Sequence, residues 1–178
     1  MVAANSRFNV WVDLAAPELA NTAVSTTITS TNGLPLVVER AMWWPRPTSA
    51  TWTEAHNSPG ETTTGTKWAV AEGEVGGSAA TETHVLIPNT SSLEGTARVT
   101  AIFEPGTAPV TRSFTLPARS RTNVNALVDF PEAAGKRIGM IVDSVGPLPA
   151  QIVVERAMYS NTNGVVWAAG TNSLAKIR

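Results

Sequence analysis

The sequence predicts an all-β fold, an antiparallel sandwich or Greek-key barrel. Three observations carry this: stretches of strand length that alternate apolar and polar residues, turn residues between them, and a segment that occurs twice. No long amphipathic helical pattern competes.

The alternation is clearest at 96–104. Ala97, Val99, Ala101 and Phe103 fall on one face, and Thr96, Arg98, Thr100 and Glu104 on the other, with Ile102 the exception. Pro105-Gly106 then supplies a turn, proline fixing φ and glycine accepting φ > 0. Val110, Arg112, Phe114 and Leu116 resume against Thr111, Ser113 and Thr115, so the pair reads as a hairpin with one buried face. Further strands are expected at Thr83–Ile87, Thr122–Val128, Ile138–Asp143, Gln151–Tyr159 and Val165–Ala168, and in the earlier part at Phe8–Leu14, Ala23–Ser30, Leu36–Trp43 and Ala50–Glu54. Only Pro17–Asn21 and Pro131–Gly135 suggest helical turns, with proline suited to the first position. Glu72-Gly73-Glu74-Val75-Gly76-Gly77 reads as a flexible loop, with calcium binding a weak alternative.

The duplication organises these strands. Ser6-Arg7-Phe8-Asn9-Val10 falls on Ser120-Arg121-Thr122-Asn123-Val124, Pro17-Glu18 on Pro131-Glu132, Ser30 on Ser144, and Leu34-Pro35 on Leu148-Pro149. After the insertion Ala150-Gln151, Val37-Val38-Glu39-Arg40-Ala41-Met42 is identical to Val153-Val154-Glu155-Arg156-Ala157-Met158. Trp52 then pairs with Trp167, and Asn57-Ser58 with Asn172-Ser173. Residues 61–119 occur once. The chain therefore reads as a half-module at 1–60, then a complete module at 61–178 built from the single-copy segment 61–119 and the second repeat copy 120–178. A sandwich cut in half exposes apolar faces and unpaired edges. Residues 1–60 are expected to seek cover from an upstream segment like 61–119, from a second copy, or from a swapped strand, giving a homo-oligomer or filament.

Composition narrows the function classes. Hydrophobic residues make up 43% of the 178, enough for a real core, whereas charged residues are only 15%. A net charge of −1 leaves no footprint for nucleic acid or an anionic membrane. With no Cys there are no disulfides, thiolate ligands or cysteine nucleophiles. No apolar run approaches the roughly 18–20 residues of a membrane span. The start, Met1–Ser6, has neither the basic nor the apolar region of a signal peptide, so an export signal is expected to have been removed or to lie elsewhere in a longer parent.

Catalytic patterns are sparse. Of the two histidines, His56 is replaced by Thr171 in the second copy, and His84 sits among Val85, Leu86 and Ile87. Each reads as an ordinary surface or strand-edge residue. His56 with Glu54 supplies two metal ligands, short of the three or four that zinc takes. Nothing in the spacing of Glu39, Glu54, Glu72, Glu74 or Glu155 selects an acid–base pair. No catalytic residue, metal site or cofactor is expected.

The duplicated Val-Val-Glu-Arg-Ala-Met stretch is more informative. In a strand, Glu39 shares a face with Val37 and Ala41, and Arg40 shares the other with Val38 and Met42. Glu39, Arg40, Glu155 and Arg156 are expected to form partly buried structural charge pairs, or else to anchor a ligand or an adjoining module. Among the tryptophans, repeat-equivalent Trp52 and Trp167 are expected in the core, with Trp68 packed similarly. Trp43 and Trp44 point to opposite faces before Pro45-Arg46-Pro47, so one of them is expected to be exposed. Trp43, Trp44, Tyr159 and Arg46 are the candidate binding residues, for a protein surface or for stacked sugars.

Taken together, TETHVLIPN, ARVTAIFEPG, VTRSFTLPARSRTNVNAL and IVVERAMYSNTNGVVWAAGTNSLA resemble an Ig-like repeat module of large secreted or surface proteins from environmental bacteria. The likeness covers 67–175, and 3–58 as a second half. It implies an Ig-like sandwich, an extracellular or cell-surface location, and a non-catalytic spacer, adhesive or polymer-associated role; the leading expectation is a structural or adhesive module that assembles with its neighbours, as in a filament or surface layer. It carries no catalytic residues. A carbohydrate-binding module using Trp43, Trp44 or Tyr159 is the alternative.

Overall fold

Alternation at period two sets the burial of the second half of the chain. Residues 95–103 form a strand in which Ala97, Val99, Ala101 and Phe103 are buried, while Ile102 points outward. The structure, a computed structural model, describes residues 1–45 and 52–178; the candidate Arg46 and the start of the strand expected at Ala50–Glu54 lie outside the described residues. The strands are β1 (Glu39–Pro45), β2 (Trp52–Pro59), β3 (Lys67–Glu74), β4 (Glu82–Pro88), β5 (Gly95–Phe103), β6 (Val110–Leu116), β7 (Arg121–Asn125), β8 (Arg137–Val145), β9 (Glu155–Ser160), β10 (Ala169–Leu174) and β11 (Lys176–Ile177).

All their pairings are antiparallel. A five-stranded sheet in the order β11-β3-β8-β5-β6 faces a four-stranded sheet in the order β10-β9-β4-β7. Trp68, Val85, Ile87, Val99, Val124, Phe130, Met140, Val142, Ile152 and Val154 fill the space between them. The fold is thus an all-β antiparallel sandwich, one full module plus a duplicated half. Burying a set of this size is what stabilises a two-sheet domain, at about 25 cal/mol per Å² of apolar surface.

Three expectations within the sandwich need correction. The strand expected at Thr122–Val128 ends at Asn125, whose side chain accepts from the Leu127 and Val128 amides at 2.9 and 3.2 Å. Its own amide donates to Asp129 at 2.7 Å, so a reciprocal cap converts Ala126–Asp129 to a helical turn. The strand expected at Val165–Ala168 starts only at Ala169, because Trp167 turns the chain with φ of 53°, held there by an amide bond to Asn161 Oδ1 at 2.8 Å. The loop expected at Glu72–Gly77 is half strand: β3 runs through Glu74, and Val75 is buried before the turn at Gly76 and Gly77.

The first copy departs further, and the repeat explains how. Among its described residues only β1 and β2 form, equivalent to β9 and β10. No strand forms at 8–14 or 23–30, where a helical turn at Val12–Ala15 and otherwise irregular chain are found. In the second copy, β7 pairs with β4, and β8 lies between β3 and β5. All three partners belong to the single-copy segment, which the first copy lacks. β9 and β10 pair with each other, so their equivalents need no outside partner.

Candidate interaction site

The β1–β2 hairpin is a separate two-stranded sheet lying over the outer face of β10-β9-β4-β7. Alternation sorts its side chains. Arg40, Met42 and Trp44, with His56 and Ser58, turn toward the sandwich and are buried or half-buried, while Glu39, Ala41, Trp43, Ala55 and Asn57 are exposed. The sandwich meets them with Leu86, Ala157, Tyr159 and Trp167. The Trp44 indole N–H donates to the Trp167 carbonyl at 2.8 Å, and its ring stands edge-on to Tyr159, centroids 5.7 Å apart. The seat depends on Gly170: a Cβ there would meet Trp44 Cη2 at 2.7 Å.

A polar cluster adjoins this aromatic contact. Arg40 donates to Glu155 at 2.7 Å, and Asn172 donates to the same carboxylate oxygen at 2.6 Å. Arg121 donates to the Val24 carbonyl at 2.6 Å, tying the irregular chain of the first copy to β7. His56 lies 3.4 Å from the Tyr159 hydroxyl. Burial raises the Tyr159 pKa and lowers that of His56, which Arg40 lowers further against a smaller opposing effect of Glu155. Two buried atoms of the contact, His56 Nδ1 and Arg121 Nε, have no hydrogen-bond partner among the described residues. Each such orphan costs about 1–3 kcal/mol, so the docking is a compromise.

Because His56 is held neutral, its docked pKa lies below the usual 6.5. The docked hairpin therefore keeps its full stability above pH 6.5, and loses it as pH falls below that value and the undocked form takes up a proton. An NMR titration of the His56 ring should give a midpoint below 6.5, and His56→Gln should abolish the loss of hairpin stability on acidification. A midpoint at or above 6.5 would refute this.

The candidate residues divide as follows. Trp44 is buried and Trp43 exposed, one of the pair each way. Tyr159, taken as a binding candidate on the expectation of exposure, is buried beneath Trp44 and stacked on Trp167 with centroids 4.4 Å apart. It cannot serve as an open stacking platform. Trp68 is in the core, but Trp52 is not: it is 53% exposed, stacked on Trp43 at 5.5 Å and tilted against Trp11 at 5.4 Å. The Trp43–Trp52 stack is the counterpart of Tyr159–Trp167, without a hairpin over it. Arg40–Glu155 is an inter-copy ion pair, and Arg156, nearly fully buried, reaches Glu72 of β3 at 3.4 Å. Glu39 is exposed and has no ion-pair partner among the described residues.

His84 stands 3.5 Å from Glu82, whose carboxylate also accepts from Asn161 and Trp167. Burial raises the Glu82 pKa, but those hydrogen bonds outweigh it and the net direction is down. The pair thus braces the turn that carries Trp167. Among the described residues, no three His, Cys, Asp or Glu side chains gather as a metal site. No helix among them is long and apolar enough to cross a membrane. The sequence reading missed Gly170, Asn172, Arg121 and the Trp167 carbonyl. The repeat matches Asn57-Ser58/Asn172-Ser173 and Ser6-Arg7/Ser120-Arg121 marked Asn172 and Arg121 without assigning them a contact.

No protein-family model matches the chain, and no curated protein matches it. Among solved structures, it is similar to the crystal structure of Thermotoga maritima 1070, with a TM-score of 0.53 and 15% identity, covering 64% of this chain and 94% of that one. It also matches the Anabaena sensory rhodopsin transducer, with a TM-score of 0.40 and 22% identity over 50% of this chain and 85% of that one. The first likeness is one of β fold alone.

Proposed function

We propose that this chain is a non-catalytic structural or adhesive module, extracellular or on a cell surface, that works by assembling with neighbouring modules or subunits. One observation carries the reading: core positions of the second copy reappear uncovered in the first. Val124, Val142 and Ile152 are fully buried, whereas their equivalents Val10, Ile28 and Leu36 are 63%, 53% and 46% exposed. Phe8 and Leu14 are also exposed. A strip of this kind on a folded protein is a contact surface. The weakly charged, Thr- and Ser-rich surface supports an extracellular setting.

Light scattering on the eluting chain should show a concentration-dependent species larger than the monomer, which Ile28→Asp reduces to monomer. A well-folded monomer at every concentration would overturn the proposal.

A second reading, polysaccharide binding, is favoured by the exposed Trp11–Trp52–Trp43 cluster, whose neighbouring rings lie within stacking range. A polysaccharide retained by the chain and released by Trp43→Ala supports it; equal retention by the variant rules it out.

A further inference from the structure

We infer that the first half is completed by a further β-segment of the 61–119 type, one more than this chain contains, and that this segment displaces the β1–β2 hairpin from its present seat. The inference rests on the assembly reading above and names the partner.

The counting comes first. The chain holds two repeat halves and one single-copy segment, and that segment already supplies β3, β4, β5 and β6 to the second half. Exchange between copies of residues 1–178 keeps this ratio, so in an assembly of those residues one half lacks strand partners. Copies of this chain can bury the apolar strip against one another, but they cannot pair it.

The strip is shaped for such a segment. Val24, Thr26, Ile28 and Ser30 repeat the spacing of Ile138, Met140, Val142 and Ser144, the face that β8 turns into the core. Flanking strands like β3 and β5 would pair 23–31 on both edges, and a strand like β4 would pair 7–11.

Charge fits as well. In the complete module, Arg156 of β9 faces Glu72 of β3. Its equivalent Arg40 would take the corresponding acid of the new segment. That same side of β1 now rests on Glu155, Tyr159 and Trp167. One face cannot meet both partners, so completion and the present docking exclude each other. The orphan atoms His56 Nδ1 and Arg121 Nε lower the cost of release.

The test joins a second copy of residues 61–119 ahead of Ser6 in the full chain, reproducing the junction found at Ser120. Hydrogen exchange at 7–11 and 23–31 should slow at least about tenfold, toward that of β7 and β8, and self-association should disappear. Gly170→Ala, which blocks the Trp44 seat, should speed exchange of β1 and β2 in the original chain and leave it unchanged in the extended one. Unprotected 7–31 in the extended chain, or an equal effect of Gly170→Ala in both, would overturn the inference. Continued self-association of the original chain would then leave the assembly reading standing, whereas a monomeric original chain removes that reading itself.

Discussion

Val124→Asp should unfold most of the sandwich, while Val10→Asp should leave its melting unchanged. The two valines are repeat equivalents, so the comparison holds chemistry constant and varies only burial. Val124 is fully enclosed between the sheets, packed with the core. A carboxylate there is either an unpaired buried charge or a neutral acid without a partner, and costs about 4–5 kcal/mol. That is a large share of the roughly 5–15 kcal/mol that holds a domain of this size. Val10 is mostly solvated, and its substitution should fall within about 0.5 kcal/mol. Thermal or urea unfolding of both variants decides the matter, and similar losses from the two would show that the first copy has a core after all.

Trp44→Ala should detach the hairpin without touching the sandwich. The indole is buried, donates its N–H to the Trp167 carbonyl and lies on Gly170 and Tyr159. Truncation removes those contacts and opens a cavity, at about 3 kcal/mol. Its other holds include Met42, the Arg40–Glu155 pair and His56 at Tyr159. β1 and β2 should therefore lose hydrogen-exchange protection while β3 to β11 keep theirs. The prediction fails if the hairpin stays protected, or if the loss is spread over the whole fold.

How much of this was legible follows from where the information sits. Residues 95–103 could be read face by face, because a strand buried on one side writes its environment into alternate positions, down to the outward Ile102. Residues 23–30 carry a similar alternation and form no strand, because a ladder needs a partner and theirs is absent. Pattern records what a segment can pair with, not whether the partner is present. Trp52 was misplaced for the same reason: its equivalent Trp167 packs against the covered Tyr159–Trp44 cluster, whereas Trp52 has only Trp11 and Trp43 beside it among the described residues and stays 53% exposed. The Trp44 seat was invisible for another reason. It depends on a glycine opposite Tyr159 and a backbone carbonyl turned by a positive φ at Trp167, and neither leaves a periodic trace.

The way the hairpin is attached also fixes how the chain answers a pull. β1 and β2 are bonded to each other along their length, but only side chains fasten them to the sheet below. Among the described residues, tension applied at Met1 meets only the two-stranded β1–β2 ladder before it passes residue 60. The side-chain contacts let go first, and the first 60 residues run out to about 200 Å, at about 3.4 Å each, before the sandwich bears load. Residues 1–60 should therefore lengthen at a lower force than the sandwich, which single-molecule pulling would read as an early extension before the sandwich unfolds.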